Sequence, residues 1–356
     1  MKVAIILGTR PEIIKMAPII YELKKRKIIF YIIHTGQHYS YNMDKIFFEQ
    51  LQLPKPKYKL EVGSANQGMQ TGKIIEKTEK VLIKDKPDII LVQGDTNSVL
   101  GGAIAAKKLG IKIGHVEAGL RSFDDSMPEE TNRILADHCS DFLFAPTKTS
   151  QNNLVKEGID KKKIFVTGNT IVDSVKKNLE NSFNGLLTKY NIKEKEYFLV
   201  SIHRQENVDD KKRFESIIKG LKLIAKKYKI PVIYPIHPRS EKMARKFKIS
   251  LEGLNVIKPI DYFSFLNLEK NAKLVLTDSG GVQEECCIVK TPCITLRDNT
   301  ERPETVTVKA NIVSGTNPQN IIKCANKMLK SKQSWMNPFG KGNTSKKIVD
   351  IIRSNL

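Results

Sequence analysis

Short apolar stretches of strand length alternate with longer helical patterns from one end of this chain to the other, and nothing else in the sequence limits the fold so tightly. In the first half the apolar runs fall at residues 3–7, 28–34, 89–93, 112–116, 142–144 and 164–166. Near-continuous apolar strands separated by helices predict a parallel sheet covered on both faces. The series pauses over 169–196, where a polar stretch with a helical pattern carries the chain across. It resumes at 197–202, 232–234, 255–257, 274–276, 293–295 and 311–313. A length of 356 residues leaves room for two domains, each with its own core. The expectation is an α/β protein of two doubly wound domains facing a central cleft. The first spans 1–170 and the second 171–340, with a last helix in 341–356 that rejoins the first.

Composition excludes several functions. No apolar run approaches the roughly 18 residues needed to span a bilayer, so no membrane association is expected. The opening MKVAIILGTRPE has too short an apolar stretch for a signal sequence and no small-residue cleavage site. It reads as the first strand of a cytoplasmic protein. A net charge of +22 invites a nucleic-acid hypothesis. The lysines, however, fall in pairs and triplets such as Lys24-Lys25, Lys107-Lys108 and Lys161-Lys162-Lys163, without the interleaved aromatics of a base-stacking surface. Solvated helix faces explain them better, and no nucleic-acid partner is expected. Five cysteines without CxxC spacing point to reduced thiols and no metal site. Cys286 and Cys287 read as packing residues.

In open parallel sheets ligands bind beyond the carboxyl ends of the strands. Most of the unusual loops in this sequence follow a strand. Asp278-Ser279-Gly280-Gly281, after the 274–277 run, reads as a nucleotide site: the glycines let backbone approach a ligand, and the helix that opens there aims free N–H groups at phosphate. Glu284 and Glu285 are placed in that helix's first turn, where one of them could chelate a ribose diol. Gly8-Thr9-Arg10-Pro11-Glu12 reads as another helix start, with Thr9 as N-cap and Pro11 where a missing N–H costs nothing. Arg10 and Lys15 flank it, as suits a diphosphate. Asp95 ends an apolar strand, as a catalytic acid or as the cap of the next helix. Glu117 holds the same place one strand later, and no helix cap explains it, because Gly119 and Arg121 continue a loop. Glu129 opens a helix at its positive dipole end. His203 shares a strand-end loop with Arg204, Glu206 and Asn207, which suits proton transfer or charge stabilisation. No GxGxxG follows the first strand, which disfavours a dinucleotide-dependent oxidoreductase.

These loops together resemble the non-hydrolysing UDP-N-acetylglucosamine 2-epimerase family. The resemblance rests on nine motifs in order: GTRPEIIKMAP at 8–18, TGQHY at 35–39, QGDTNS at 93–98, HVEAGLRS at 115–122, PEETNR at 128–133, GNTIVDS at 168–174, HRQEN at 203–207, DSGGVQEE at 278–285 and RDNTERPETV at 297–306. It implies the GT-B fold of two Rossmann-like domains and a commonly homodimeric enzyme. It also implies reversible conversion of UDP-GlcNAc to UDP-ManNAc for glycan synthesis, with no cofactor and no metal. By the motif match the catalytic residues are Asp95, Glu117, Glu129 and His203, with Arg10 and Lys15 near the reacting sugar and diphosphate. UDP is expected on the second domain: Ser279, Gly280 and Gly281 at the phosphates, Glu285 at the ribose, Arg302 near the diphosphate, and the 260–265 loop, from Ile260 to Phe265, around uracil. One departure stands out. Bacterial relatives activated by their own substrate build a second site partly on the TGQHY loop and a downstream arginine. Here Ser40 stands where a second glutamine is usual and 65–70 has no arginine, so the resemblance does not carry substrate activation with it.

The implied chemistry suits these residue types. The proton on sugar carbon 2 is not next to a carbonyl, so it becomes acidic only as the anomeric bond to UDP breaks. Anti elimination leaves 2-acetamidoglucal and UDP, and re-addition needs acid or base groups on two faces of the ring, with cations for the departing diphosphate. The competing enzyme readings are a hydrolysing epimerase that releases UDP and ManNAc, and a glycosyltransferase of the same fold. The competing non-enzyme reading is a basic nucleic-acid-binding protein, marked by strongly salt-dependent binding.

Overall fold

The computed structural model describes residues 1–37, 41–180 and 185–356. His38, Tyr39 and Ser40 of the TGQHY loop, and residues 181–184 of the expected crossing stretch, lie outside the described residues. The chain divides into two compact units, Met1–Ser174 with Phe339–Leu356, and Val175–Pro338.

The first unit is built on strands β1 (Lys2–Leu7), β2 (Ile29–His34), β3 (Tyr58–Lys59), β4 (Ile89–Gln93), β5 (Lys112–Val116), β6 (Phe142–Ala145) and β7 (Ile164–Val166). They form one sheet in the order β3-β2-β1-β4-β5-β6-β7, with every described pairing parallel. The second unit has β8 (Phe198–Ser201), β9 (Val232–Pro235), β10 (Asn255–Ile257), β11 (Leu274–Thr277), β12 (Cys293–Thr295) and β13 (Asn311–Val313). Its order is β10-β9-β8-β11-β12-β13, again parallel throughout. Both units are Rossmann-like, so the α/β class with two doubly wound sheets is the one expected for a GT-B chain. In each, the winding reverses between the first and fourth strand, β1 and β4 or β8 and β11, and the crevice at such a reversal is where ligands bind.

The strand residues explain the layering. Val3, Ala4, Ile5, Ile6 and Leu7 are all fully buried, so helices cover both faces of β1. Each Val, Ile or Leu side chain so removed from water contributes about 1.5–3 kcal/mol. Ala4 and Ile6 join Ile33, Ile90, Val92, Val99 and Ala103 in one core, while Phe198, Val200, Leu274, Leu276 and Ile294 anchor another in the second unit. Cys286 and Cys287 are fully buried in apolar packing. The two-residue β3 is an addition to the expected strands, and its Tyr58 packs edge-on against Tyr31.

Two local solutions shape the first unit. The helix Arg10–Lys25 carries Pro18 in its interior, which has no N–H to give the Ile14 carbonyl one turn back. The Ser174 hydroxyl donates to that carbonyl at 2.7 Å, so the orphaned acceptor is satisfied. Asp173, one residue earlier, accepts from the Thr344 N–H (3.2 Å), the Ser345 N–H (3.0 Å) and the Ser345 hydroxyl (2.7 Å). The start of the last helix, Thr344–Asn355, is thus capped by a carboxylate some 170 residues away in sequence, at separations of 171 and 172.

Candidate active site

The first unit brings its ionisable groups to the ends of β1, β4 and β5. Thr9 occupies the N-cap position of the Arg10–Lys25 helix, with Pro11 in its first turn. Glu12 turns back on this helix start: one carboxylate oxygen accepts from the Gly8 and Thr9 N–H groups, both at 2.7 Å, and the other accepts from the Thr96 hydroxyl at 2.6 Å. Burial pushes the Glu12 carboxyl above its usual range, against the hydrogen bonds from Thr96, Gly8 and Thr9. A side chain at Gly8 would lie 1.9 Å from the Thr35 hydroxyl oxygen, so the close approach of these loops requires glycine.

Lys15 and Arg10 leave the same helix toward different acids. The buried Lys15 ammonium donates to both oxygens of Glu117, at 2.9 and 2.7 Å, and the Gln93 amide donates to one of them at 2.6 Å. Arg10 Nε lies 3.6 Å from Asp44, and its guanidinium stacks 5.3 Å over the Phe47 ring. Glu117 sits at φ +72°, a left-handed conformation that is costly for a residue with a side chain and turns its carboxylate out of the strand.

Asp95 does not cap the Asn97–Lys108 helix. Thr96 does, its hydroxyl accepting from the Val99 N–H at 3.4 Å. The partly buried Asp95 carboxylate pairs instead with Arg133, whose other nitrogen donates to Glu130 at 2.7 Å. Glu130 is itself consumed by structure, accepting from the Ser122 N–H, the Ser122 hydroxyl and the Phe123 N–H at 2.8–3.2 Å. Its neighbour Glu129, in the first turn of the Pro128–Cys139 helix, is exposed. Of the two adjacent acids, Glu129 is the one left exposed to solvent.

In the second unit the loops after β8 and β11 are bound to each other. The fully buried Asp278 carboxylate accepts from the His203 N–H (3.1 Å), the Arg204 N–H (3.1 Å) and the Asn207 amide (3.2 Å), and lies 3.4 Å from His203 Nδ1. His203 itself is 40% exposed, beside His237 at 5.6 Å between ring centres. Ser279 is the N-cap residue of the Gly280–Val289 helix. Among the described residues no hydrogen bond is made by the N–H of Gly280 or Gly281. The two N–H groups before these are taken, that of Asp278 by the Ser201 carbonyl at 3.2 Å and that of Ser279 by the Thr277 hydroxyl at 3.0 Å, and Val282 holds the place where Glu12 stands in the Thr9 helix. Three arginines gather beside it around the buried Glu301: Arg204 at 3.1 Å, Arg297 at 2.7 Å, and Arg302, which also pairs with Glu284 at 2.5 Å. Burial would raise the Glu301 carboxyl, but the charges of Arg204, Arg302 and Arg297 outweigh it and hold Glu301 far below the usual carboxylate range. A Cβ at Gly280 would lie 2.5 Å from Glu301 Oε1, so glycine leaves room for this cluster.

Two expectations are corrected. The helix begins at Gly280, so Glu284 and Glu285 fall beyond its first turn rather than within it. Glu285 is buried and faces Tyr262 and Glu269, whose carboxyl is driven well up by burial and by the Glu285 charge. The 260–265 segment is no plain loop either. Asp261 caps a helix, Tyr262–Asn271, by accepting from the Ser264 N–H at 3.1 Å, and this carries Phe265 into the first turn. Ile260 and Phe265 both pack at the edge of the apolar cluster beneath.

The sequence did not single out Arg133, Asp278 or Glu301, though each lies inside a quoted motif. Among the described residues no group of three or more His, Cys, Asp and Glu side chains gathers as a metal would require, and no described helix is long and apolar enough to cross a membrane.

A family model for UDP-N-acetylglucosamine 2-epimerase matches residues 21–353. The chain is 56% identical over 361 residues to the UDP-N-acetylglucosamine 2-epimerase of Methanococcus maripaludis, which covers 99% of this chain and 98% of that one. The crystal structure of the Methanocaldococcus jannaschii UDP-GlcNAc 2-epimerase in complex with UDP-GlcNAc and UDP matches with a TM-score of 0.94 at 54% identity, over 100% of both chains. The Neisseria meningitidis UDP-GlcNAc 2-epimerase bound to UDP-GlcNAc matches with a TM-score of 0.91 at 34% identity, also over 100% of both. With identity above half sustained from end to end, and the acids at the strand ends held as described, the chain belongs to the UDP-N-acetylglucosamine 2-epimerase family.

Proposed function

We propose that this protein interconverts UDP-GlcNAc and UDP-ManNAc without net hydrolysis. The proton on sugar carbon 2 passes to a carboxylate of the first unit. The electron pair of the broken C–H bond forms the double bond to carbon 1, and the anomeric C–O bond breaks with its pair leaving on the β-phosphate of UDP. A second acid then returns a proton to the opposite face of carbon 2 as UDP adds back to carbon 1. Asp95, Glu117 and Glu129 supply these transfers. Lys15 and Gln93 orient Glu117, Arg133 orients Asp95, and Glu129 is free to meet the substrate.

The difference between the two helix starts carries this reading. At Thr9 the Glu12 carboxyl group turns back on the helix start, whereas the Gly280-Gly281 start has Val282 in that position and lies beside Arg204 and Arg302. A diphosphate suits the second start better than the first, where the Glu12 carboxyl group occupies the turn. UDP therefore belongs on the second unit, with Glu285 toward the ribose and His203, on the loop gripped by Asp278, countering charge on the departing phosphate.

Proton NMR of UDP-GlcNAc incubated with the enzyme in heavy water tests the reading. Growth of a UDP-ManNAc anomeric signal, with loss of proton intensity at carbon 2 in both sugars and little free UDP, is expected. Epimer formed without deuterium at carbon 2 would contradict it, and free UDP matched by ManNAc would establish the hydrolysing reaction instead.

A further inference from the structure

His115 lies on β5, between the strand that delivers Asp95 and the helix that delivers Arg133, and no step of the proposed reaction uses it. It is fully buried. Its Nδ1 lies 2.7 Å from Asp137 Oδ1 and its Nε2 lies 2.8 Å from the Gly94 carbonyl oxygen. Both partners are acceptors. A neutral imidazole has only one N–H, so it would leave a ring lone pair facing an oxygen; the imidazolium satisfies both contacts. The remaining oxygen of Asp137 accepts from the Gly119 N–H at 3.1 Å and from Arg121 at 2.8 Å, and Arg121 pairs in turn with Glu157. Two cations and two carboxylates thus alternate in an electrically balanced chain.

The chain ends on backbone that matters. Gly94 immediately precedes Asp95, and Gly119 follows Glu117 by two residues. Gly94 also donates its N–H to the Val116 carbonyl at 3.1 Å, so this loop is tied to β5 from both sides. We propose that His115 is a buried imidazolium that positions the two strand-end carboxylates: it clamps the Gly94 carbonyl directly and the Gly119 N–H through Asp137, fixing the separation between Asp95 and Glu117. This rests on the reading that those two acids perform the proton transfers. Burial acts to lower the basicity of His115 and Arg121 adds to that, but the Asp137 carboxylate and the Gly94 carbonyl outweigh both and hold the ring protonated above its ordinary range.

The amides of Asn and Gln divide the two contacts. In His115→Asn the amide nitrogen overlays Nδ1 and keeps Asp137, while Gly94 is released; in His115→Gln it reaches the Nε2 position and keeps Gly94. Misplacement of catalytic groups by about 1 Å costs about 100-fold, so kcat is expected to fall about 100-fold in His115→Asn and about tenfold in His115→Gln. UDP affinity, held by the second unit, stays within about twofold of wild type in both. Wild-type kcat in His115→Asn, or parallel loss of kcat and UDP affinity in both variants, would overturn the proposal.

A measurement on the unaltered protein guards against a variant that does not fold. Nitrogen-15 NMR of histidine-labelled enzyme should show one ring that keeps both nitrogens protonated at a pH where the other rings have lost a proton, and that signal should vanish in whichever His115 variant folds. All six histidines losing a proton together in the ordinary histidine range would refute the imidazolium. Failure of the epimerase reading is distinct from both results, since wild-type enzyme would then place no deuterium at carbon 2.

Discussion

Asp95 and Glu117 owe their placement to partners drawn from elsewhere in the chain. The Lys15–Glu117 pair spans 102 residues and the Arg133–Asp95 pair 38. The acids themselves were legible as strand-mouth carboxylates, Glu117 because no helix follows for it to cap, Asp95 with a helix cap as its alternative. Their pairings were not: Lys15 was read as flanking a diphosphate and Arg133 was not singled out among sixty basic residues, and only folding brings the two onto these acids. Asp95→Asn and Glu117→Gln remove a proton acceptor while keeping shape. Each should lower kcat by about 10²–10⁴-fold, with UDP affinity within about threefold in calorimetry. Glu301 permits a pH test. Its folded-state affinity for protons is depressed, so its stabilising contribution is complete above its unfolded value of 4.5 and is lost as pH falls through the lower folded value. Glu301→Gln removes the buried charge that three guanidiniums share, though Arg302 keeps Glu284 and Arg297 keeps Glu206, and should destabilise by about 3 kcal/mol at pH 7. The gap in urea midpoint between wild type and variant should narrow as pH drops below 4.5.

At the scale of elements, two helix starts of similar sequence logic are finished differently. Both follow the first or fourth strand of a doubly wound sheet, and both looked like anion sites. What separates them is an acid three residues past the N-cap. Glu12 stands where a capping box closes the turn, whereas Val282 occupies that place in the second helix. This distinction was present in the sequence as Thr9-x-x-Glu12 against Ser279-x-x-Val282. The displacement of Glu284 and Glu285 out of the first turn was not, since it depends on the helix beginning at Gly280. Gly280→Ala places a methyl group 2.5 Å from Glu301 Oε1 and must push the arginine cluster aside. UDP affinity should fall about tenfold, or about 1.4 kcal/mol, by calorimetry, with the helix content of the protein unchanged.

For the whole molecule, alternation of apolar runs predicted the class of both sheets and most strand bounds, because a strand buried on two faces leaves a near-continuous apolar record. The two-residue β3 escaped because an edge strand of Tyr58 and Lys59 leaves no such record. Both units share the winding that places the ligand crevice at a reversal, yet each uses it differently. The first lines its strand ends with paired acids, and the second gathers arginines beside a helix start. In the function we propose, with proton transfer assigned to acids of the first unit and the diphosphate to the second, the anomeric bond breaks and re-forms in every turnover. Positional isotope exchange tests this most directly. UDP-GlcNAc carrying oxygen-18 in the bond between carbon 1 and the β-phosphate should be recovered with the label scrambled into the non-bridging β-phosphate oxygens, while free UDP stays low. Epimerisation with the label retained in the bridge would show that UDP never leaves carbon 1 and would contradict the account.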